Sequence, residues 1–383
     1  MKVAGLFAGI GGVELGLSRA GHQPLLHCEI DPGASEVLSE HFPAVPLHGD
    51  VRTLMKLPKG TELVAGGFPC QDLSQAGATR GIEGKNSGLV NEVFRLLGSH
   101  DVPHVLLENV PFILVLARGY AMRHVTTRLE KLGYRWAYRV VDSRAFGLPQ
   151  RRQRMYLLAS RVLEPVELLM QGNESADEVE DWRGRACGFY WTEGVRGLGW
   201  AVDAVPTLKG GSTVGIASPP AIWMPGGEIV TPDIRDAERL QGFAENWTLP
   251  VERVSRKGFR WKSVGNAVSV PAAEWVGRRL RHRAAAVDMR VHSFDSERGW
   301  PTAAFGGPGQ RALGVEISMW PERVPRLALA DFLRFEPKLL SLKATDGFIS
   351  RLKSSGLRYP PEFLRALLRH SDRMRVQPEL AVA

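Results

Sequence analysis

Over the first 160 residues, short apolar runs alternate with segments of helical periodicity. KVAGLF (2–7) reads as a strand, and 13–20 as a helix starting just past a glycine turn. PLLHCE (24–29) is a second strand and 34–41 a second helix, with further strands expected at 63–65, 105–108, 137–142 and 155–159. Alternation at this spacing predicts an α/β protein with a parallel sheet covered on both faces, whose ligands bind at the carboxyl ends of the strands.

From about residue 161 the pattern dissolves. Residues 172–200 are polar, acidic in their first half and rich in Gly and Trp, and LKGGSTVGIASPPAIWMPGG is dense in Gly, Ser and Pro. That is loop and short-strand composition, which predicts a small irregular domain. Helical patterning returns at 234–242 and 271–283. A loop at FGGPGQ then leads to a tail with apolar pairs at helical spacing, Phe363/Leu364 and Leu367/Leu368.

Composition narrows the class. The chain has 383 residues, 44% hydrophobic and 23% charged, which is ordinary for a globular protein and long enough for two or three domains. No apolar run approaches the ~20 residues of a membrane helix, and the N-terminus reads as a strand rather than a secretory signal, so a cytoplasmic protein is expected. Cys28, Cys70 and Cys187 are too widely spaced for a zinc cluster or a disulfide framework, and no metal is expected. The net charge of +8 suits a polyanionic partner; residues 290–383 carry fifteen Lys/Arg against ten Asp/Glu, concentrating the excess in the tail.

The candidate chemistry sits at strand ends. FAGIGG follows the first strand, where glycines let the backbone turn and a ligand approach the next helix; NAD and FAD sites and plain packing use such turns too. Glu29 ends the second strand, where it can take ribose hydroxyls, and Asp50 of GDV can meet an adenine amino group. Both also read as ordinary solvated strand-end acids. The thiol of Cys70, in GGFPCQDLS, follows a strand exit, a place equally open to a small hydrophobe in a turn. Glu108 in ENV and the arginines of QRRQR end or precede other strands of the same sheet. A thiol, an acid and two arginines at one edge make a covalent catalyst.

Taken together, FAGIGG, the acid of HCEID, GDV, GFPCQDLS, LENV, QRRQR, RLQGF and VGNAV resemble the DNA cytosine-5 methyltransferase family of bacterial or phage type, in the family's order, over residues 1–283. The resemblance implies a Rossmann-like S-adenosylmethionine-dependent methyltransferase sheet, a small target-recognition domain and a helical C-terminal extension. It implies Cys70 as nucleophile toward C6 of a flipped cytosine, Glu108 at the ring's N3 edge, and Arg152 and Arg154 supporting the intermediate. For S-adenosylmethionine it implies Phe7, Gly9, Gly11, Glu29, Ile30, Asp50, Val51, Pro69, Leu89 and Asn266. For DNA it implies Gln71, Ser74, Gln150 and Thr207, the last in PTLKGG, which also reads as a surface turn. Residues 71–88 would be the loop closing over the nucleotide.

The implied organisation is a catalytic and cofactor-binding domain at 1–160, target recognition at 161–230, a return segment at 231–285 and a basic helical extension at 286–383, which reads as a solvated cap or as a DNA contact. Gly5 departs from the acid or serine often found there in the family, and VTPDIRD stands for the usual LTPRE. The partners implied are double-stranded DNA and a restriction endonuclease sharing its site, for an enzyme acting as a monomer. An RNA-modifying relative, a catalytically silent DNA-binding relative and a nucleotide-dependent oxidoreductase are the competing classes; the last leaves FPCQ and ENV unexplained.

Overall fold

The computed structural model describes residues 1–69, 88–176, 181–195, 197–211, 217–281 and 289–376. The chain divides into two compact units, Met1–Ala145 with Gln153–Ala176 and Ala267–Arg323, and Phe146–Arg152 with Asp177–Asn266 and Val324–Ala383.

The first unit is built on strands β1 (Lys2–Leu6), β2 (Gln23–Cys28), β3 (Leu47–His48), β4 (Leu63–Gly67), β5 (His104–Asn109) and β6 (Arg135–Asp142). Past β7 (Gln150–Arg151), which belongs to the second unit, comes β8 (Gln153–Ser160). Their order is β6-β8-β5-β4-β1-β2-β3. β1 pairs in parallel with both β2 and β4, and β4 with β5. The strand order therefore reverses at β1, the point where such sheets bind ligands. β8 runs antiparallel to both β5 and β6, so the sheet is mixed rather than wholly parallel. An apolar run looks the same in either direction, which is why the pattern alone missed the reversal.

Helices α1 (Gly12–Arg19), α2 (Pro32–His41), α3 (Leu89–Ser99) and α4 (Tyr120–Lys131) alternate with these strands, the first two where the periodicity predicts helices. Leu6, Val64, Val105 and Leu107 of the sheet share one core with Val93, Phe94, Met122 and Leu129 of α3 and α4. On α1, Glu14 is 1% exposed, and among the described residues neither of its carboxyl oxygens has a hydrogen-bond partner. It fills the space above Gly5, where any Cβ would collide with its carboxyl group. The departure at Gly5 is thus matched by an acid at position 14.

In the second unit, β9 (Cys187–Phe189), β10 (Ala201–Val202), β12 (Ala221–Trp223) and β13 (Ile229–Thr231) form an antiparallel sheet, while β11 (Val205–Pro206) pairs with β7. Helices α5 (Ile234–Leu240) and α6 (Phe259–Asn266) pack Ile234, Ala237, Leu240 and Val264 on Val205, Leu208 and Ile222. The following helix, α7 (Val270–Arg281), belongs to the first unit, so the segment 231–285 is shared between the two units.

Residues beyond 289 are not one helical appendage. β14 (Val291–His292), β15 (Ala303–Gly306) and β16 (Leu313–Val315) extend the large sheet from β6, giving ten strands. Trp300 seats this addition by entering the core beside Trp136 and Tyr138. Arg139 of β6, fully buried, donates to the carbonyls of Ser318, Leu169 and Gln171, and burial lowers its pKa to about 9. Farther on, β17 (Lys338–Leu339) pairs with β13 as the fifth strand of the smaller sheet. Helices α8 (Leu342–Lys353) and α9 (Pro361–Val376) bury Phe348 and Phe363 against Phe189 and Trp223. Strands of two to four residues carry too little periodicity to be seen in advance.

Burial pushes the Glu14 carboxyl from 4.5 to about 8. Its folded pKa lies above its unfolded one, so its favourable share is complete below pH 4.5 and lost as pH rises through 8. Stability should fall across that window by up to about 1.4 kcal/mol per pH unit from this group. Glu14→Gln should flatten that fall in urea denaturation at pH 5, 6.5 and 8, and parallel curves for the two proteins would remove Glu14 as the cause.

Candidate active site

The turn after β1 is shaped for close approach. Phe7 and Gly9 both have φ of 54° and Gly11 has 83°. Its anchor is Glu29, at the exit of β2. Gly9 N–H donates to Glu29 Oε2 at 2.8 Å and Asp31 N–H to Oε1 at 2.7 Å. Burial raises the Glu29 pKa, opposed by these two N–H donors. Asp31 in turn caps α2 by accepting from Ala34 N–H. Beside the carboxylate, Ile30 is 65% exposed, and a Cβ on Gly9 would meet nothing within 4 Å. An acceptor pair, an open glycine and an uncovered apolar side chain fit a ligand with hydroxyls and a flat apolar ring.

The GDV turn is less simple. Asp50 is held below the usual carboxylate range by Arg52, whose Nη2 donates to its Oδ2 at 2.7 Å on the surface. Val51 is buried in the core, and its carbonyl accepts from Arg95 of α3 at 3.0 Å. Leu89, the first residue of α3, packs against the same core.

At the ends of β4 and β5, register places Gly67 opposite Glu108. A Cβ on Gly67 would lie 2.8 Å from Glu108 Oε2, so only glycine leaves the carboxylate its place. Arg154 Nε lies 3.1 Å from Glu108 Oε1, with side chains 12% and 10% exposed. Asn109 then joins the strand exits: its Nδ2 donates to Phe68 O at 3.0 Å, and its Oδ1 accepts from Val110 N–H. Asn109 stood inside the ENV motif without a role of its own; its position at a strand exit beside Glu108 was the available signal. Pro69, next in the chain, is exposed. Cys70, Gln71, Ser74 and the expected loop lie outside the described residues. Cys28 and Cys187 are buried and pushed up to about 12 by burial, which makes them poor nucleophiles.

The other motif residues lie in the second unit. Arg152, 1% exposed, donates from Nη1 to Leu208 O and from both Nη atoms to Gly265 O, each at 3.3 Å. Gln150 is 0% exposed: its Nε2 donates to Leu240 O and its Oε1 accepts from Leu208 N–H. Its amide is hydrogen-bonded within the second unit. Thr207, half-buried, donates to Arg151 O at 2.9 Å, and Asn266 is exposed at the end of α6. The arginines of QRRQR therefore separate: Arg154 sits beside the acid of the first unit, and Arg152 ties TLKGG to VGN in the second.

Residues 1–182 match the family model described as C-5 cytosine-specific DNA methylase. The chain is 45% identical to the type II methyltransferase M2.BsuMI of Bacillus subtilis (strain 168), covering 97% of this chain and 99% of that protein. Among solved structures, the methyltransferase EhMeth of Entamoeba histolytica matches with TM-score 0.54 and 14% identity, covering 73% of this chain and 97% of its own. The Dnmt2 methyltransferase of S. pombe matches with TM-score 0.54 and 16% identity, covering 73% of this chain and 98% of its own. At such identities these two likenesses speak for the fold.

Arg154→Ala should strip a largely buried carboxylate of its counter-charge and cost about 3 kcal/mol in urea denaturation. A loss below about 1 kcal/mol, the range of exposed pairs, would mean that Glu108 does not depend on it.

Proposed function

The chain belongs to the family of C-5 cytosine-specific DNA methylases, and from that premise we propose that it methylates carbon 5 of a cytosine within a particular double-stranded DNA sequence, using S-adenosylmethionine. The setting we infer is a restriction–modification system or phage self-protection. The observation that carries this reading is the Glu108–Arg154 pair at the exit of β5, next to the β4 exit that leads into Cys70.

S-adenosylmethionine, when bound, supplies a methyl group made electrophilic by its sulfonium. Glu29 would hold its ribose hydroxyls and Ile30 its adenine, with the Gly9 turn leaving room for the rest. Asp50 serves the adenine amino group only if Arg52 shares its carboxylate. Cytosine carbon 5 is too weak a nucleophile on its own. The Cys70 thiolate adds to C6, forming the Sγ–C6 bond and shifting the ring's electrons toward C5. Glu108, in its acid form, donates its proton to the ring at N3 and so offsets the negative charge developing there, while Arg154 holds the carboxyl group in position. After C5 is methylated its proton passes to a base, and the C6–Sγ electrons return to sulfur. Because C6 is stacked inside the duplex, the cytosine must first be swung out.

Bisulfite sequencing of DNA from cells expressing the protein should show one methylated cytosine context; a map indistinguishable from that of control cells would end the reading. Cys70→Ser should incorporate no labelled methyl groups while keeping its fold, since an alkoxide is far less available than a thiolate. Incorporation near the wild-type rate would rule out covalent addition by Cys70. In calorimetric titration, Glu29→Ala should weaken S-adenosylmethionine binding more than DNA binding, and Glu29→Gln should retain part of the affinity. Unchanged cofactor affinity would take Glu29 out of the site.

A further inference from the structure

Within the second unit, three segments are hydrogen-bonded into one cluster. The connection between β9 and β10 carries Tyr190, whose hydroxyl donates to Thr207 O at 2.7 Å, and Glu193, which pairs with Lys209. Trp191 Nε1 donates to Pro219 O at 2.8 Å. Thr192, Val195 and Lys209 remain exposed at the tips. The base of the cluster comes from the tail: Arg351 of α8 donates from Nε to Glu193 O at 2.8 Å and from Nη2 to Trp191 O at 2.7 Å.

We propose that residues 190–195 of this connection read base edges of the DNA target, and that Arg351 is the positioning residue fixing their register against Thr207. The proposal rests on the DNA-methylating reading above. A reader of base edges needs donors and acceptors held to a fraction of an ångström, and a loop supplies that only when its main chain is anchored. A guanidinium is suited to the task, because its planar fork meets two carbonyls at once with charge-assisted hydrogen bonds. Both of the Arg351 bonds go to main-chain carbonyls of the loop. Gly194 sits directly on Phe348, one turn back along α8, so the helix surface and the guanidinium set the height of the loop together. The specificity determinant is thus discontinuous in sequence, a central loop and a tail helix, and a central segment exchanged without its tail loses its anchor.

The test uses the full chain with Arg351→Ala, Arg351→Lys and, as control, Arg369→Ala on α9, an exposed arginine outside the cluster. Bisulfite maps give the target of the wild type, and rates on the target duplex and its single-base variants give discrimination. Arg351→Ala should lower discrimination about tenfold or more, the scale of one base-edge interaction, and raise KM for DNA with kcat changed less than about threefold. Arg351→Lys should recover part of it, and Arg369→Ala should match the wild type. Unchanged discrimination, an equal loss of kcat on all duplexes, or failure of Arg351→Ala to fold would each overturn the proposal. A wild-type map with no methylated context would instead overturn the DNA-methylating reading itself.

Discussion

Two amide protons converge on one carboxylate at the carboxyl edge of the large sheet, and the turn after β1 is arranged around that meeting. Without Glu29, the N–H groups of Gly9 and Asp31 would lose their acceptor, and the turn after β1 would lose its tie to the exit of β2. The same device recurs at the next exits. Asn109 accepts from Val110 N–H and donates to Phe68 O, and Asp50 accepts from Arg52 N–H. Strand ends leave main-chain groups that the ladder does not use, and polar side chains satisfy them. The residues suited to that work, acids and amides, are also those suited to holding hydroxyls and ring nitrogens.

A dual use of this kind explains why single positions looked ordinary. Glu29 and Asp50 are strand-end acids that accept from nearby backbone N–H groups. What lifts the edge out of the ordinary is the company: an open glycine, an uncovered Ile30 and a buried acid–arginine pair on neighbouring strands. The second unit shows the reverse. Gln150 and Arg152, expected at the site from the sequence, bond to carbonyls and amides of the TLKGG, LQG and VGN segments.

The parallel half of the sheet and the helices α1 and α2 were legible, because each is a run long enough to show its period. Residues 150, 152 and 154 follow a period of two and would share one face of a continuous strand. The strand breaks at Arg152, which no pattern of residue types announces, and the two arginines take different partners. The tail was misleading for another reason. Its last helix, α9, was visible as apolar pairs, but its partners, Phe189 and Trp223, lie far away in sequence. Likewise, Asp236 of α5 accepts from the N–H groups of Arg334 and Phe335, a tie that no local window contains.

The placement of β17 has a consequence for the order in which the protein comes into being. A ribosome delivers the chain from one end, and domains ordinarily fold as their residues emerge. Here the smaller sheet receives its fifth strand only from Lys338–Leu339, and its aromatic core closes only with Phe348 and Phe363. The larger sheet, for its part, waits for β15 and β16. Neither unit can mature before residue 315 has been made, and contacts between residues so distant in sequence form slowly. The smaller sheet is therefore finished late, and a chain interrupted at residue 345 would leave it without α9 and most of α8.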